Sequence, residues 1–206
     1  MKLKHVITII LFGSIWGFFE ATLGGIMHLA KVPFTGTIMS AIGFSLLYLA
    51  LKSGVKPSGL FIVSLVAASF KFMDSWLFAL PLFDRHIINP ATAIACQGLA
   101  AAFFLGRNAV TCKIPALFPR FIGAEATSMI AFNIISVGIY GWHTFHTKAP
   151  VTAAFVKLPI TAALATAFSF FVPAILKRIS KASSPAWQGI AAALLAVLAV
   201  LARVNI

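Results

Sequence analysis

The stretch Val6–Leu29, VITIILFGSIWGFFEATLGGIMHL, decides the fold class because it is long and apolar enough to cross a bilayer as one helix. At about 100° per residue, five positions of this helix fall within an arc of roughly 80°. They are Gly13, Gly17, Glu20, Gly24 and His28. An ionisable side chain that faces hydrocarbon costs about 2.5–3.5 kcal/mol or more. We therefore expect this face to contact protein, water or a ligand.

The rest of the chain has the same apolar character. Its 206 residues are 61% hydrophobic and 10% charged, and the mean hydropathy is +1.01. This composition excludes an ordinary soluble globular domain and predicts a polytopic membrane protein. The net charge of +12 does not indicate a nucleic-acid partner, because no soluble segment is long enough to present a basic patch, so the basic residues are interpreted by their position in the loops.

Seven apolar segments of about the length that a bilayer requires can be drawn along the chain. Short connections rich in Gly, Pro, Ser and Lys join them, so residues 1–206 are expected to form a single transmembrane domain. The predicted fold is all-α, a bundle of six to seven transmembrane helices, where six applies if one segment is re-entrant. The segments are 6–29, 34–51, 60–82, 90–106, 116–142, 151–176 and 186–203.

Basic residues in the connections predict the orientation of the bundle. With a cytoplasmic N-terminus, ten of them fall on the inner side and four on the outer side, which agrees with the positive-inside rule. The inner set is Lys2, Lys4, Lys52, Lys56, Arg107, Lys113, Arg120, Lys177, Arg178 and Lys181, and the outer set is Lys31, Arg85, Lys148 and Arg203.

The same orientation places four histidines at the outer ends of helices. His143 and His146 are spaced i, i+3, so they are candidate ligands for a metal ion. The alternative is that they are ordinary polar residues of the membrane interface. The complete set is His28, His86, His143 and His146.

Polar residues of four segments reach nearly the same depth. With a rise of about 1.5 Å per residue, Glu20 and Asp74 lie roughly 21 Å above the inner boundary of the core. Gln97 and Lys157 lie roughly 10 Å below the outer boundary of a core about 30 Å thick. Lys71 is about one turn below Asp74 on the same helix face. These positions predict one polar layer in the outer half of the membrane.

Two interpretations of this layer are open. In the first, Lys71 pairs with Asp74 and Glu20 pairs with Lys157, and the pairs only hold the helices together. In the second, the layer binds a small polar or zwitterionic ligand, or a metal, that enters from outside. The candidate ligand-binding residues are then Glu20, His28, Lys71, Asp74, Asn89, Gln97 and Lys157.

One further acidic residue, Glu125, lies nearer the inner side by the same count. It is expected either to pair with Arg120 at the interface or to belong to a surface that contacts a coupling partner.

Small residues recur at every fourth position of the first segment, at Gly13, Gly17 and Ala21. Together with three local stretches, they make the chain resemble the S component of energy-coupling factor (ECF) transporters, in particular an uncharacterised S-component-like branch. In that family of vitamin and metal importers, a small-residue face of the first helix docks onto the coupling subunit. The resemblance therefore implies that these three residues dock a partner. The local stretches are WGFFEATLG (16–24), VPFTG (32–36) and INPA (88–91).

The resemblance implies a substrate-capturing subunit in the cell membrane of a prokaryote. Its partners would be a small-molecule substrate, a coupling subunit and ATPase subunits supplied in trans. The residues leave two alternatives open, a stand-alone proton- or cation-coupled carrier and a structural membrane protein. The chain has no phosphate-binding loop, serine-hydrolase elbow, zinc-protease pair or haem-attachment motif. We expect no enzyme activity and no cofactor.

Overall fold

The computed structural model describes residues 3–77, 79–106, 109, 111–112, 114–141 and 151–182. All regular secondary structure in this part of the chain is helical. A π-helical segment, Glu20–Gly24, joins the first two α-helices, and a 3₁₀ turn, Phe70–Phe72, joins the fourth to the fifth. The α-helices are α1 (Leu3–Phe19), α2 (Gly25–Leu29), α3 (Thr35–Lys52), α4 (Pro57–Ser69), α5 (Met73–Leu77), α6 (Arg85–Phe104), α7 (Ile114–Tyr140) and α8 (Val151–Ala182).

Six helical stretches of the described residues are long and apolar enough to cross a membrane. They confirm the all-helical membrane fold, and six of the seven predicted segments correspond to them. The seventh predicted segment, 186–203, lies outside the described residues, and the cytoplasmic N-terminus stays a prediction. The stretches are Leu3–Met27, Thr35–Lys52, Pro57–Trp76, Arg85–Phe104, Pro115–Tyr140 and Val156–Ala174.

The chain divides into two compact units. The first runs to Ser169 and the second begins at Phe170. The part of the second that the structure describes is the end of α8. All residues of the candidate site belong to the first unit.

The fourth span begins earlier than its predicted start at residue 90. Asp84 precedes α6, and its Oδ1 accepts a hydrogen bond of 2.8 Å from the backbone N–H of His86. This is the standard N-terminal cap, which satisfies one of the unpaired donors of the first turn. Pro90 therefore lies inside the helix, where its missing N–H removes only one backbone hydrogen bond.

The third span ends earlier than the predicted segment 60–82. Helix α5 ends at Leu77, and the backbone then turns at Ala79, whose φ is +51°. The hydroxyl of Ser75 donates a hydrogen bond of 2.6 Å to the carbonyl oxygen of Leu80 and closes this turn.

Glycines bring α1 and α4 into close contact. A Cβ atom built on Gly13 would lie 2.6 Å from Val66 Cβ and 2.8 Å from the carbonyl oxygen of Val63. One built on Gly17 would lie 2.5 Å from the ring of Phe70. Only residues without a side chain allow this approach.

This packing corrects the prediction for two of the three docking residues. Within the chain, Gly13 is buried against α4 and Gly17 against Phe70 of the 3₁₀ turn, so they do not present an open face to a partner subunit. Ala21 is half-buried, and its role in docking stays a prediction.

Aromatic side chains fill the space between α1, α3 and α7. Trp16 is fully buried and lies flat against Gly43, where a Cβ atom would be 2.5 Å from the indole ring. Phe44 and Tyr48 of α3 both contact the ring of Phe121, at centroid distances of 6.1 and 6.3 Å. These contacts fix α3 at the centre of the unit, between the elements that carry the polar residues.

Candidate functional site

Buried polar residues of the membrane-spanning helices include two clusters. The carboxylate–lysine cluster consists of Glu20, Lys71 and Asp74, and the amide–carboxylate cluster consists of Ser40, Gln97, Glu125, Ser128 and Thr161, in which Ser40 is half-buried. A polar group in hydrocarbon must find its hydrogen-bond partners within the protein. The partners of each cluster therefore indicate what it can hold.

Lys71 is the centre of the carboxylate–lysine cluster. Its ammonium group donates a hydrogen bond of 2.9 Å to the backbone carbonyl oxygen of Glu20 and one of 3.3 Å to Oδ2 of Asp74. The second contact is an ion pair between residues i and i+3, so the predicted pairing of Lys71 with Asp74 is confirmed. The other carboxylate oxygen, Oδ1 of Asp74, is buried without a hydrogen-bond partner.

Irregular backbone on two helices creates this arrangement. Glu20 is the first residue of the π-helical segment, and Lys71 is the middle residue of the 3₁₀ turn. A π-helical turn interrupts the regular hydrogen-bond ladder, so its carbonyl oxygens need other partners. Lys71 binds the Glu20 carbonyl, and the Thr22 hydroxyl binds the Phe18 carbonyl at 2.7 Å. Single π-helical turns of this kind are frequent at functional sites.

The carboxyl group of Glu20 lies beside α3. A Cβ atom built on Gly24 would be 3.5 Å from Glu20 Oε2 and 3.8 Å from Met39 of α3. The indole nitrogen of Trp16 approaches this carboxyl group without reaching hydrogen-bond geometry. The predicted pairing of Glu20 with Lys157 is wrong: no ion pair joins these two residues, both of which the structure describes.

The amide–carboxylate cluster is organised around Glu125. The Thr161 hydroxyl donates to Oε1 of Glu125 at 3.5 Å, and the Ser128 hydroxyl approaches Oε2 at 3.4 Å. Ser40 of α3 lines the same cavity as Glu125. The Ser128 hydroxyl is closer to the backbone carbonyl oxygen of Glu125, at 2.9 Å. Gln97 joins the cluster through a bond of 2.6 Å from its Nε2 to the Ser40 oxygen.

A cavity of about 80 Å³ lies beside this cluster. Its polar wall is formed by Ser40, Gln97, Glu125 and Ser128, and its apolar wall by Ala93, Met129 and Phe132. Gln97 is 7% exposed, and its carbonyl oxygen Oε1 has no hydrogen-bond partner. The cavity thus borders one carboxylate and one unpaired amide oxygen.

The position of Glu125 corrects both sequence expectations for this residue. It is 5% exposed and lies in the interior, so it belongs to no outer coupling surface. Its predicted partner Arg120 donates instead to the carbonyl oxygen of Phe104, at 3.0 Å, and caps α6. Five residues turn a helix by about 140°, so the two side chains leave α7 on different faces.

Lys157 is half-buried and forms no ion pair with Glu125. Its positive charge influences the Glu125 carboxylate only from beyond ion-pair distance. The predicted single layer is therefore divided in two, with Glu20, Lys71 and Asp74 in one cluster and Gln97 in the other.

Adjacent residues of α3 connect the two clusters. Met39 lies beside Gly24 and the carboxyl group of Glu20, whereas Ser40 accepts a hydrogen bond from Gln97. Two consecutive residues of α3, about 100° apart around the helix, therefore face the two clusters.

The remaining predicted site residues do not join either cluster. Asn89 is half-buried, eight residues and about 12 Å along α6 from Gln97. Only the backbone of His28, in α2, is described, and the candidate metal ligands His143 and His146 lie outside the described residues. Within the part of the chain that is described, no three His, Cys, Asp or Glu side chains are grouped to hold a metal ion.

Sequence reasoning missed the hydroxyl groups around Glu125. Ser40, Ser128 and Thr161 lie in apolar segments, where a hydroxyl commonly binds its own helix backbone. Their only signal is that Glu125 and Ser128 share one face of α7 at i, i+3.

Comparison of the chain with protein-family models, with curated proteins and with solved structures gives no match. The resemblance to ECF S components therefore stays a prediction. The function has to be argued from the two clusters and the cavity.

Proposed function

We propose that this chain is a solute-binding integral membrane protein that captures a small polar solute between its helices. The observation that supports this most strongly is the cavity beside Glu125 and Gln97, because it borders a buried carboxylate that lacks a cation within ion-pair distance among the described residues. A cluster that only holds helices together is expected to pair its charges fully. A bound solute supplies the missing donors.

Buried acidic side chains outnumber buried lysines among the described residues, which supports the same proposal. The three acidic residues Glu20, Asp74 and Glu125 are buried, and Lys71 is the described lysine buried with them. Each uncompensated carboxylate needs a cation, a proton or further hydrogen-bond donors. A polar solute with donor groups meets this need at the Glu125 cavity.

In the wider proposal, the protein serves as the substrate-capturing subunit of an ECF-type importer in the cell membrane of a prokaryote. Its N-terminus is cytoplasmic and the solute enters from outside. Coupling and ATPase subunits then drive the movement that releases the solute inside. The resemblance of the first span and the basic residues of the inner loops support this role.

A second candidate function is a stand-alone proton- or cation-coupled carrier. The observation that favours it is the burial of Gly13 and Gly17 within the chain, which removes two of the three residues proposed to dock a coupling subunit. Buried carboxyl groups such as Glu20 and Asp74 are typical sites for a coupling ion.

Small molecules that co-purify with the protein test solute binding. Protein purified in detergent is heated, and the released compounds are identified by mass spectrometry. We expect the parent and the exposed control Ser69→Ala to release the same small polar solute, and Glu125→Gln to release much less. Equal amounts from the parent and Glu125→Gln, or no solute from the parent, contradict the proposal.

Reconstitution separates the two transport roles. The purified chain is placed alone in liposomes, and uptake of the identified solute is measured with and without an imposed proton or sodium gradient. Binding without uptake supports the subunit of an importer. Gradient-driven uptake by the chain alone supports the carrier.

A further inference from the structure

The orientation of the Gln97 amide determines which groups the cavity offers. The hydroxyl oxygen of Ser40 accepts a hydrogen bond of 2.6 Å from Nε2 of Gln97. The opposite end of the amide, Oε1, is consequently the unpaired atom, and it is a hydrogen-bond acceptor.

The Glu125 carboxylate is also short of donors. A carboxylate can accept about four hydrogen bonds, and the contacts from Thr161 and Ser128 are long, at 3.5 and 3.4 Å. The single hydrogen of Ser128 is shared with the nearer backbone carbonyl oxygen. The cavity thus presents unsatisfied acceptors on its polar wall.

The charges around the cavity exclude an anion and a divalent metal. Glu125 is the charged residue that lines the cavity, whereas Lys157 acts on it only from a longer distance. An anion would be repelled by the carboxylate. Calcium needs six to eight oxygen ligands, and the described residues contain no group of three or more metal-binding side chains.

The apolar wall and the size of the cavity favour a small organic cation. A cavity of about 150 Å³ can hold benzene, so the volume of about 80 Å³ accepts an ion or a head group of a few heavy atoms. Met129 and Phe132 can contact carbon atoms, and an aromatic ring close to a cation is attractive.

We propose that this cavity binds a primary ammonium group, either of a short alkylamine or at the end of a larger solute. The ammonium donates its three hydrogens to the Glu125 carboxylate, to Gln97 Oε1 and to a hydroxyl oxygen of the wall. Its carbon chain lies against Met129 and Phe132. This inference rests on the proposed solute binding and names the chemistry of the solute.

Thermal unfolding of the whole chain in detergent tests the inference with methylammonium chloride as the probe. We expect a saturable rise in the melting temperature above that produced by equal concentrations of sodium chloride. Methanol, acetate and tetramethylammonium chloride are expected to give no such rise, because they lack the charge, carry the opposite charge or have no N–H donor.

Three variants locate the bound ammonium. Glu125→Gln keeps the size of the side chain but loses a charge-assisted hydrogen bond, so methylammonium should bind about tenfold or more weakly. Ala93→Val fills the apolar wall and should weaken binding while all polar groups stay in place. Asp84→Asn is the matched control, since it changes a carboxyl group to an amide outside both clusters and the cavity. Asparagine caps a helix as well as aspartate does, so this variant should leave binding within about twofold of the parent.

The ammonium site is overturned if methylammonium and sodium raise the melting temperature equally. It is also overturned if methylammonium raises the melting temperature of both Glu125→Gln and Ala93→Val as much as that of the parent. If Glu125→Gln does not fold, Ala93→Val decides alone. A co-purifying solute without an amino group, released by the parent but not by Glu125→Gln, overturns the ammonium assignment while it leaves the proposed solute binding intact. Absence of both a solute and an amine response refutes both proposals.

Discussion

Replacement of Gly13 by alanine tests the close contact between α1 and α4. In an open helix, alanine is more stable than glycine by about 0.5–1 kcal/mol. At Gly13, however, the new Cβ would lie 2.6 Å from Val66 Cβ and 2.8 Å from the Val63 carbonyl oxygen. Neither atom can move by a side-chain rotation, because one is attached to Cα and the other belongs to the backbone.

The helices must therefore separate to accept the methyl group. Overpacking of this kind costs about 1–3 kcal/mol. After the gain in helix propensity, we expect Gly13→Ala to lower the free energy of unfolding by about 1–2 kcal/mol. Gly138 of α7 is the matched control, because nothing lies within 4 Å of its Cβ position, and Gly138→Ala should raise the free energy by about 0.5–1 kcal/mol.

Unfolding by sodium dodecyl sulfate in mixed micelles, followed by circular dichroism and tryptophan fluorescence, measures both variants. The difference between them should be about 2 kcal/mol or more, which is roughly 30-fold in the unfolding equilibrium. If Gly13→Ala is as stable as Gly138→Ala, Gly13 does not pack against α4. The original expectation of an open docking face would then be restored.

Three further changes test individual contacts of the described residues. Lys71→Met should lower the free energy of unfolding by about 3–5 kcal/mol, because it leaves a buried carboxylate unpaired, and adding Asp74→Asn should restore much of this loss in the same denaturation assay. Arg120→Met should cost about 1 kcal/mol, because a carbonyl group at the end of α6 loses its donor, and an unchanged stability would contradict the cap. At the loop before α6, hydrogen bonds from the backbone N–H and then the ring of His86 hold the pKa of Asp84 below its ordinary value. The folded-state pKa is depressed, so this cap stabilises α6 at neutral pH and is lost as the pH falls through that pKa. His86→Ala should raise the Asp84 pKa only in part, since the backbone bond stays, and carboxyl ¹³C NMR titration measures the change.

The number and type of helices could be predicted because the bilayer constrains them directly. A span must cover the hydrocarbon core and satisfy its own backbone groups, so length and hydropathy identify it. The predicted helix ends were less accurate where a capping residue determines the end, as Asp84 does for α6.

The carboxylate–lysine cluster was predicted in part, because the position of a residue along a helix gives both its expected depth and the helix face that it occupies. Lys71 and Asp74 are three residues apart, which places them on one face. Glu20 reaches the same depth on the first span. The binding of Lys71 to the backbone of Glu20 instead of its carboxylate depends on the π-helical segment, and no pattern of apolar residues specifies that irregularity.

The amide–carboxylate cluster could not be predicted because depth does not determine which helices are neighbours. Gln97 and Glu20 are predicted at similar depths, but α3 lies between their clusters. Glu125 receives a hydroxyl contact from Thr161 of α8 and shares a cavity wall with Ser40 of α3. Those contacts follow from tertiary packing, in which Trp16 against Gly43 and Phe44 against Phe121 position α3.

The bond from Lys71 to the Glu20 carbonyl also has a consequence for the order of assembly. Lys71 follows Glu20 by 51 residues, so the first span enters the membrane before its partner has been synthesised. Until then, the hydrogen bonds of a regular α-helix satisfy the backbone carbonyl of Glu20 better than those of a π-helical turn do. The extra residue of a π-helical turn rotates all that follows by about 100°. The bond from Lys71 therefore links the third span to the direction in which α2 leaves the first span.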